Sequence, residues 1–175
     1  MLGLVHIYTG DGKGKTTAAI GLGIRAYGRG LKILMVQFLK GNESGEIYTI
    51  KGLEPRFNLY KGVQMEKFTW NMNEKELKEA KLIQTEIFTY AINQIKENKY
   101  DLLILDEIMA AVTTGLVNLQ DVLEFVTNKP AELELVMTGR NAPTELIALA
   151  DYVSEIKAIK YPMEKGTPAR HGIED

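Results

Sequence analysis

Cysteine is absent from the 175 residues, which excludes disulfides, thiolate metal sites and a cysteine nucleophile together and suits a reducing compartment. Histidine is scarce, with only His6 and His171. No histidine–carboxylate–serine arrangement is evident, so no protein nucleophile is in view. Charge excess is also lacking: 21 Lys and Arg face 23 Asp and Glu, for a net charge of −2. Such a balance offers no basic surface for non-specific nucleic-acid binding. No apolar run approaches a membrane span. The start, Met1-Leu2-Gly3-Leu4-Val5, runs directly into a strand-like segment, without the basic stretch and long apolar core of a signal peptide, so the expected location is the cytoplasm. There is no internal repeat, low-complexity tract or linker. The 45% apolar and 25% charged residues are an ordinary globular balance, and one domain over 1–175 with a real core is expected.

The most informative stretch is Thr9-Gly10-Asp11-Gly12-Lys13-Gly14-Lys15-Thr16-Thr17. An apolar run from Leu4 to Tyr8 precedes it and an alanine-rich segment follows, so it reads as strand, glycine loop, helix. In such a loop successive backbone N–H groups can point inward at a phosphate chain. Lys15 supplies a point charge for phosphate oxygens, and the Thr16 hydroxyl is placed to hold a divalent ion. Glycines keep side chains from holding the backbone away from the ligand. In G-x-x-x-x-G-K-[ST] the first glycine would fall at position 9, where Thr9 stands. A plain strand–helix turn needs one or two glycines, not three alternating with two lysines before a threonine pair. Gly10, Gly12 and Gly14 do not form the dinucleotide fingerprint G-x-G-x-x-G.

Periodicity places the remaining elements. Strand one covers about 3–8, and its following helix stops near Tyr27-Gly28. Residues 32–38 are apolar on both faces, as a central parallel strand requires. The segment 39–72 reads as irregular, with short strands near Phe57–Tyr60 and 64–68. Asn73 has the character of an N-cap with Glu76 as its capping-box partner; Leu77, Ala80, Ile83, Ile87, Ala91 and Ile95 then follow helical spacing. A buried strand, Asp101 through Asp106, ends in the acid pair Asp106-Glu107. Residues 119–128 read as helix, 133–138 as strand ending at Gly139-Arg140, 143–150 as a short helix with Pro143 in its first turn, and 152–159 as the last strand. From Tyr161 the tail reads as extended. This alternation argues a mostly parallel sheet covered on both faces.

In open α/β sheets ligands bind at the carboxyl ends of strands, where both the glycine loop and the acid pair fall. Alone, a terminal Asp-Glu is a solvated turn; behind four aliphatics and with a phosphate loop upstream, it points to Mg²⁺ shared with Thr16 and phosphate oxygens. Arg140 ends another strand and is either a triphosphate contact or a surface arginine. Phe68-Thr69-Trp70 holds the only tryptophan and is either a loop anchor on the core or a platform for a flat ligand. His6 reads as a packing residue of strand one, and His171 sits in the tail without an identifiable partner.

TGDGKGKTTAA at 9–19, VQFLKG at 36–41, FTW at 68–70, LDE at 105–107, TGR at 138–140, LADYVSEI at 149–156 and the closing KGTPARHGIED together resemble the ATP:cob(I)alamin (corrinoid) adenosyltransferases of the CobA/CobO/BtuR type, in that family's order across nearly the whole chain. Threonine in place of the first glycine is typical of the family, and FTW is its more discriminating element. The resemblance implies a P-loop NTPase-like three-layer α/β fold and a reaction in which Co(I) of the corrinoid attacks the 5′ carbon of ATP and tripolyphosphate leaves, giving adenosylcobalamin, a form of vitamin B12. Cobalt would then be the nucleophile that the protein lacks. It implies ATP held in reversed orientation, with Thr9, Gly10, Asp11, Gly12, Lys13, Gly14, Lys15, Thr16 and Thr17 around the phosphates and Lys15 neutralising the leaving group. Thr16 and Glu107 would hold Mg²⁺ with Asp106 behind them, and Arg25 and Arg140 would contact nucleotide. Phe68 and Trp70 would displace the lower axial ligand, leaving cobalt four-coordinate and Co(II) easier to reduce.

The resemblance further implies a homodimer and a reductase or flavin electron donor, with neither nucleic acid nor membrane as partner. Longer family members carry an extension ahead of strand one that helps cover the site, leaving open what shields the corrinoid here. Two rival readings fit the phosphate loop alone: a P-loop kinase or RecA-like ATPase, and a nucleotide-gated corrinoid carrier.

Overall fold

Alternation of buried side chains along the strands builds a core on each face of one sheet. The computed structural model describes residues 2–39, 44–62, 71–162 and 166–173. In chain order the elements are β1 (Val5–Thr9), α1 (Lys15–Gly28), β2 (Ile33–Gln37), α2 (Gly45–Lys51), β3 (Phe57–Tyr60), α3 (Glu74–Glu97), β4 (Leu102–Asp106), α4 (Ile108–Thr113), α5 (Leu119–Asn128), β5 (Glu134–Thr138), α6 (Thr144–Leu149) and β6 (Tyr152–Glu155). The strands form a sheet of order β3-β2-β4-β5-β1-β6, and every pairing is parallel. The expected mostly parallel sheet is thus wholly parallel among the described residues.

Period 2 sorts the side chains. Leu34 and Val36 of β2 and Leu103 and Leu105 of β4 face a core built with α3, α4, α5 and α6. Ile33, Met35, Leu102 and Ile104 face the other way, against Ala19 and Ala26 of α1 and Ile50 of α2. Both strands are buried along their full length. Each fully buried aliphatic contributes about 1.5–3 kcal/mol, enough to carry Gln37 and Asp106, both fully buried at the strands' carboxyl ends, out of bulk water.

Asn73 caps α3 as expected: its side chain accepts from the Glu76 N–H at 3.0 Å and the Glu76 carboxylate accepts from the Asn73 N–H at 2.8 Å. Three details differ from the sequence reading. The segment taken as irregular contains α2, an additional short helix α4 follows the acid pair, and the last strand stops at Glu155 instead of running to 159. The strand expected at 64–68 lies outside the described residues. His6 packs: its ring stacks on Tyr152 at 4.8 Å and its Nε2 lies 2.5 Å from Glu134, near the starts of the strands.

Candidate functional site

Because the strands are parallel, β1, β2, β4 and β5 deliver their carboxyl ends to one rim of the sheet. The loop 10–14 leaves β1 there and α1 begins at Lys15. Gly10 has φ +99° and Gly14 φ +119°, backbone that glycine tolerates and other residues resist. The glycines have a second cause beyond ligand approach. A Cβ on Gly10 would meet the Ile156 carbonyl oxygen at 2.5 Å, and one on Gly12 would meet it at 2.7 Å. The chain leaving β6 is stitched to the loop, with Ile156 N–H donating to Thr9 O at 2.8 Å and Gly12 N–H donating to Ile156 O at 2.7 Å.

Lys15 is buried, and its Nζ donates to Gly10 O at 2.7 Å and Gly12 O at 2.8 Å. Burial depresses its pKa from the ordinary lysine value, opposed by the negative charge of Glu107. The cation is therefore aimed by the loop's own carbonyls, and desolvation strengthens its attraction for an arriving anion.

Asp106 is the hub of the rim. Thr16 Oγ1 donates to its Oδ1 at 2.9 Å, Thr138 Oγ1 donates to the same oxygen at 2.7 Å, and Gln37 Nε2 donates to Oδ2 at 3.3 Å. Three elements besides its own strand, α1, β5 and β2, thereby fix one carboxylate. Thr138 Oγ1 also accepts from the Glu107 N–H at 2.9 Å. Glu107 itself sits at φ +62°, a left-handed conformation that costs a non-glycine residue about 1–3 kcal/mol and is met mostly at functional sites. Gln37 Nε2 reaches Glu46 of α2 at 3.4 Å, and Gln37 Oε1 has no hydrogen-bond partner among the described residues.

A cleft of about 670 Å³ opens over the loop. Gly12 to Thr17 form its floor, with Glu107, Ser44 and Glu46 to one side and residues of the C-terminal tail to another. The donors facing it fit Mg²⁺: a threonine hydroxyl and a carboxylate are hard oxygen ligands, and this ion takes few protein ligands and completes its shell with phosphate and water. No cluster of three or more His, Cys, Asp or Glu suited to a metal occurs among the described residues.

The structure brings together Gly12, Lys13, Gly14, Lys15, Thr16, Thr17 and Glu107 on the cleft, with Asp106 directly behind Thr16. Thr9 lies on β1, where its hydroxyl accepts from the Ala142 N–H at 3.3 Å. Asp11 and Arg140 stand at the rim as an exposed pair 3.9 Å apart. Arg25 is exposed on α1, about 15 Å along the axis from Lys15 at 1.5 Å per residue, and does not line the cleft. Phe68 and Trp70 lie outside the described residues. Sequence reasoning did not single out Gln37 and Thr138, which bond Asp106, or Ser44, Glu46, Lys160 and Arg170, which line the cleft. Gln37, Thr138 and Arg170 were visible only as parts of VQFLKG, TGR and the closing motif.

Fold and site define a class first: a phosphate-loop nucleotide-binding protein, with its lysine, threonine and buried aspartate set on a parallel sheet. The chain belongs to the family described as ATP:corrinoid adenosyltransferase BtuR/CobO/CobP, whose model matches residues 1–174. It is 33% identical over 173 residues to a corrinoid adenosyltransferase of Escherichia coli K12, covering 98% of this chain and 85% of that protein. It is 31% identical over 173 residues to corrinoid adenosyltransferase CobA of Salmonella typhimurium, with the same coverage. Among solved structures, ATPases 2 and 3 of EssC from Geobacillus thermodenitrificans align with 98% of this chain and 36% of that one, at 12% identity and a TM-score of 0.45, a likeness too distant to inform the reaction.

Proposed function

We propose that this chain transfers the 5′-deoxyadenosyl group of ATP to the cobalt of cob(I)alamin or a related corrinoid and releases tripolyphosphate. The electron pair of Co(I) forms the cobalt–carbon bond, the C5′–oxygen bond breaks, and its electrons leave on the α-phosphate oxygen. The observation that carries the reading is the phosphate cradle of Lys15 and Thr16 tied to Asp106, in a chain that matches the adenosyltransferase family almost end to end.

The family resemblance suggests the roles, and geometry and charge support those of the phosphate loop. Negative charge builds on the departing triphosphate, so a desolvated Lys15 binds the transition state more strongly than the ground state. Thr16 and Glu107 would hold Mg²⁺, and Asp106 would hold the Thr16 hydroxyl in place. Bound Mg²⁺ would screen and orient the phosphate oxygens. Gly10, Gly12 and Gly14 allow the loop backbone to approach the phosphates. Phe68 and Trp70 would occupy the lower face of the corrinoid. A homodimer, a cytoplasmic location and an external reductase or flavin as electron source complete the proposal. No helix among the described residues is long and apolar enough to cross a membrane.

One anaerobic assay tests this. Protein, Mg-ATP and chemically reduced cobalamin are mixed, and the visible spectrum is read in the dark and after illumination. A light-sensitive alkylcobalamin with stoichiometric tripolyphosphate is expected. ADP or free phosphate would instead identify a kinase or ATPase, and a bound but unaltered corrinoid would identify a carrier.

A further inference from the structure

The nucleotide cleft has a wall that no part of the phosphate-loop pattern accounts for. After β6 the chain runs past the loop, pinned on both sides of Ile156 by the backbone bonds to Thr9 and Gly12. Beyond that clamp, Lys160, Tyr161, Thr167, Arg170 and Ile173 line the same space as Lys13 and Lys15. The Thr167 N–H donates to Pro162 O at 3.2 Å and the Ile173 N–H to Arg170 O at 3.1 Å, so this stretch has turns of its own. Lys160 and Arg170 are exposed.

The charge of the cleft makes these two side chains count. Among the described residues, Lys13, Lys15, Lys160 and Arg170 face it against Glu46 and Glu107. Without the tail the two lysines of the loop would only balance the two glutamates. The tail supplies the positive excess, to which a bound divalent ion would add. A linear polyphosphate is the ligand that such an excess suits, and an arginine fork matches its oxygens two at a time.

We infer that the C-terminal tail is a binding wall of the nucleotide site, with Arg170 and Lys160 contacting the polyphosphate end of ATP and the tripolyphosphate product. This rests on the reading of the cleft as an ATP site. Because the leaving group gains charge as the C5′–oxygen bond breaks, both cations favour departure as well as binding.

The test measures binding without corrinoid, so that its failure is separable from failure of the transferase reading. Titrations of the full chain with Mg-tripolyphosphate, Mg-ATP and adenosine are compared for native protein, Arg170→Ala, Arg170→Lys and the double variant Arg170→Ala/Lys160→Ala. Loss of one charge-assisted contact weakens tripolyphosphate and ATP about tenfold, and loss of both about a hundredfold. Adenosine affinity should not change, and Arg170→Lys should recover part of the loss. A double variant that binds tripolyphosphate within about twofold of native protein overturns the inference, even if the native protein makes alkylcobalamin. A selective loss of tripolyphosphate affinity sustains it, even if no alkylcobalamin forms. A second readout needs no variant: tripolyphosphate, but not adenosine, should slow tryptic cleavage after Lys160 and Arg170 in native protein. Equal cleavage with and without tripolyphosphate would count against the wall.

Discussion

Thr138→Val isolates the hub beneath the metal-binding rim. Valine matches threonine in shape, so the substitution removes a hydroxyl and leaves no cavity. That hydroxyl is fully buried, donates to Asp106 at 2.7 Å and accepts from the Glu107 N–H at 2.9 Å. A bond to a carboxylate is worth about 1.5–3 kcal/mol, and a buried N–H left without a partner costs about 1–3 kcal/mol. Glu107 lines the open cleft, so water can reach its N–H and the second figure falls at its low end. The expected loss is about 2–4 kcal/mol, read as a lower urea midpoint at unchanged slope. At roughly 2–4 °C per kcal/mol for a chain of this size, Tm falls by roughly 5–15 °C. The hub also sets where Thr16 and Glu107 present their oxygens. Mn²⁺ affinity in the presence of ATP, followed by electron paramagnetic resonance, should therefore weaken about tenfold. A variant with native stability and native Mn²⁺ affinity would refute the hub, because the hydroxyl would then be dispensable to both carboxylates.

Lys15→Ala should lower kcat/KM for ATP by more than about a hundredfold, since it removes a buried cation held by the loop's own carbonyls; near-native turnover would remove Lys15 from the leaving-group role. Burial already depresses the Lys15 pKa, so this lysine loses its proton at a lower pH than an exposed one. ATP affinity should therefore decline on the alkaline side at a lower pH than an exposed lysine would give, and the decline should vanish in Lys15→Ala. The stability of the ligand-free protein moves the other way: the unfolded chain holds the proton more tightly, so Lys15 opposes folding at low pH and that penalty is relieved as pH rises through the depressed folded value toward 10.5. Trp70→Ala should impair turnover most when the corrinoid enters as Co(II) and must be reduced on the protein; equal impairment with preformed Co(I) would exclude a role in removing the axial ligand.

The strands and long helices were legible because their periods are strong. β2 and β4 are apolar on both faces, and α3 announces itself by a capping box and an apolar stripe. α2 was hidden by Ile47, Thr49 and Ile50, whose branched side chains favour strand, and by a length of seven residues, too short to show a helical period. α4 begins immediately after Glu107, whose positive φ no sequence pattern announces. β6 was drawn too long because 156–159 remain partly apolar, whereas the Ile156 N–H is taken by the end of β1 and its carbonyl by the phosphate loop. The lysine, threonine and acid pair of the site were visible as local spacing. Gln37 and Thr138 were not, because their roles depend on register: Gln37 stands across from Asp106 between β2 and β4, and Thr138 is brought beside them by β5.

The seam between the loop and the end of β6 also bears on how the protein is made. Among the described residues the first strand pairs with β5 and β6 alone, so a nascent polypeptide cannot complete β1's neighbourhood until Tyr152–Glu155 have left the ribosome. Contacts this distant in sequence form slowly. The phosphate cradle, held in shape by Ile156, should therefore form late, and nucleotide would be captured only once Ile156 has joined the loop.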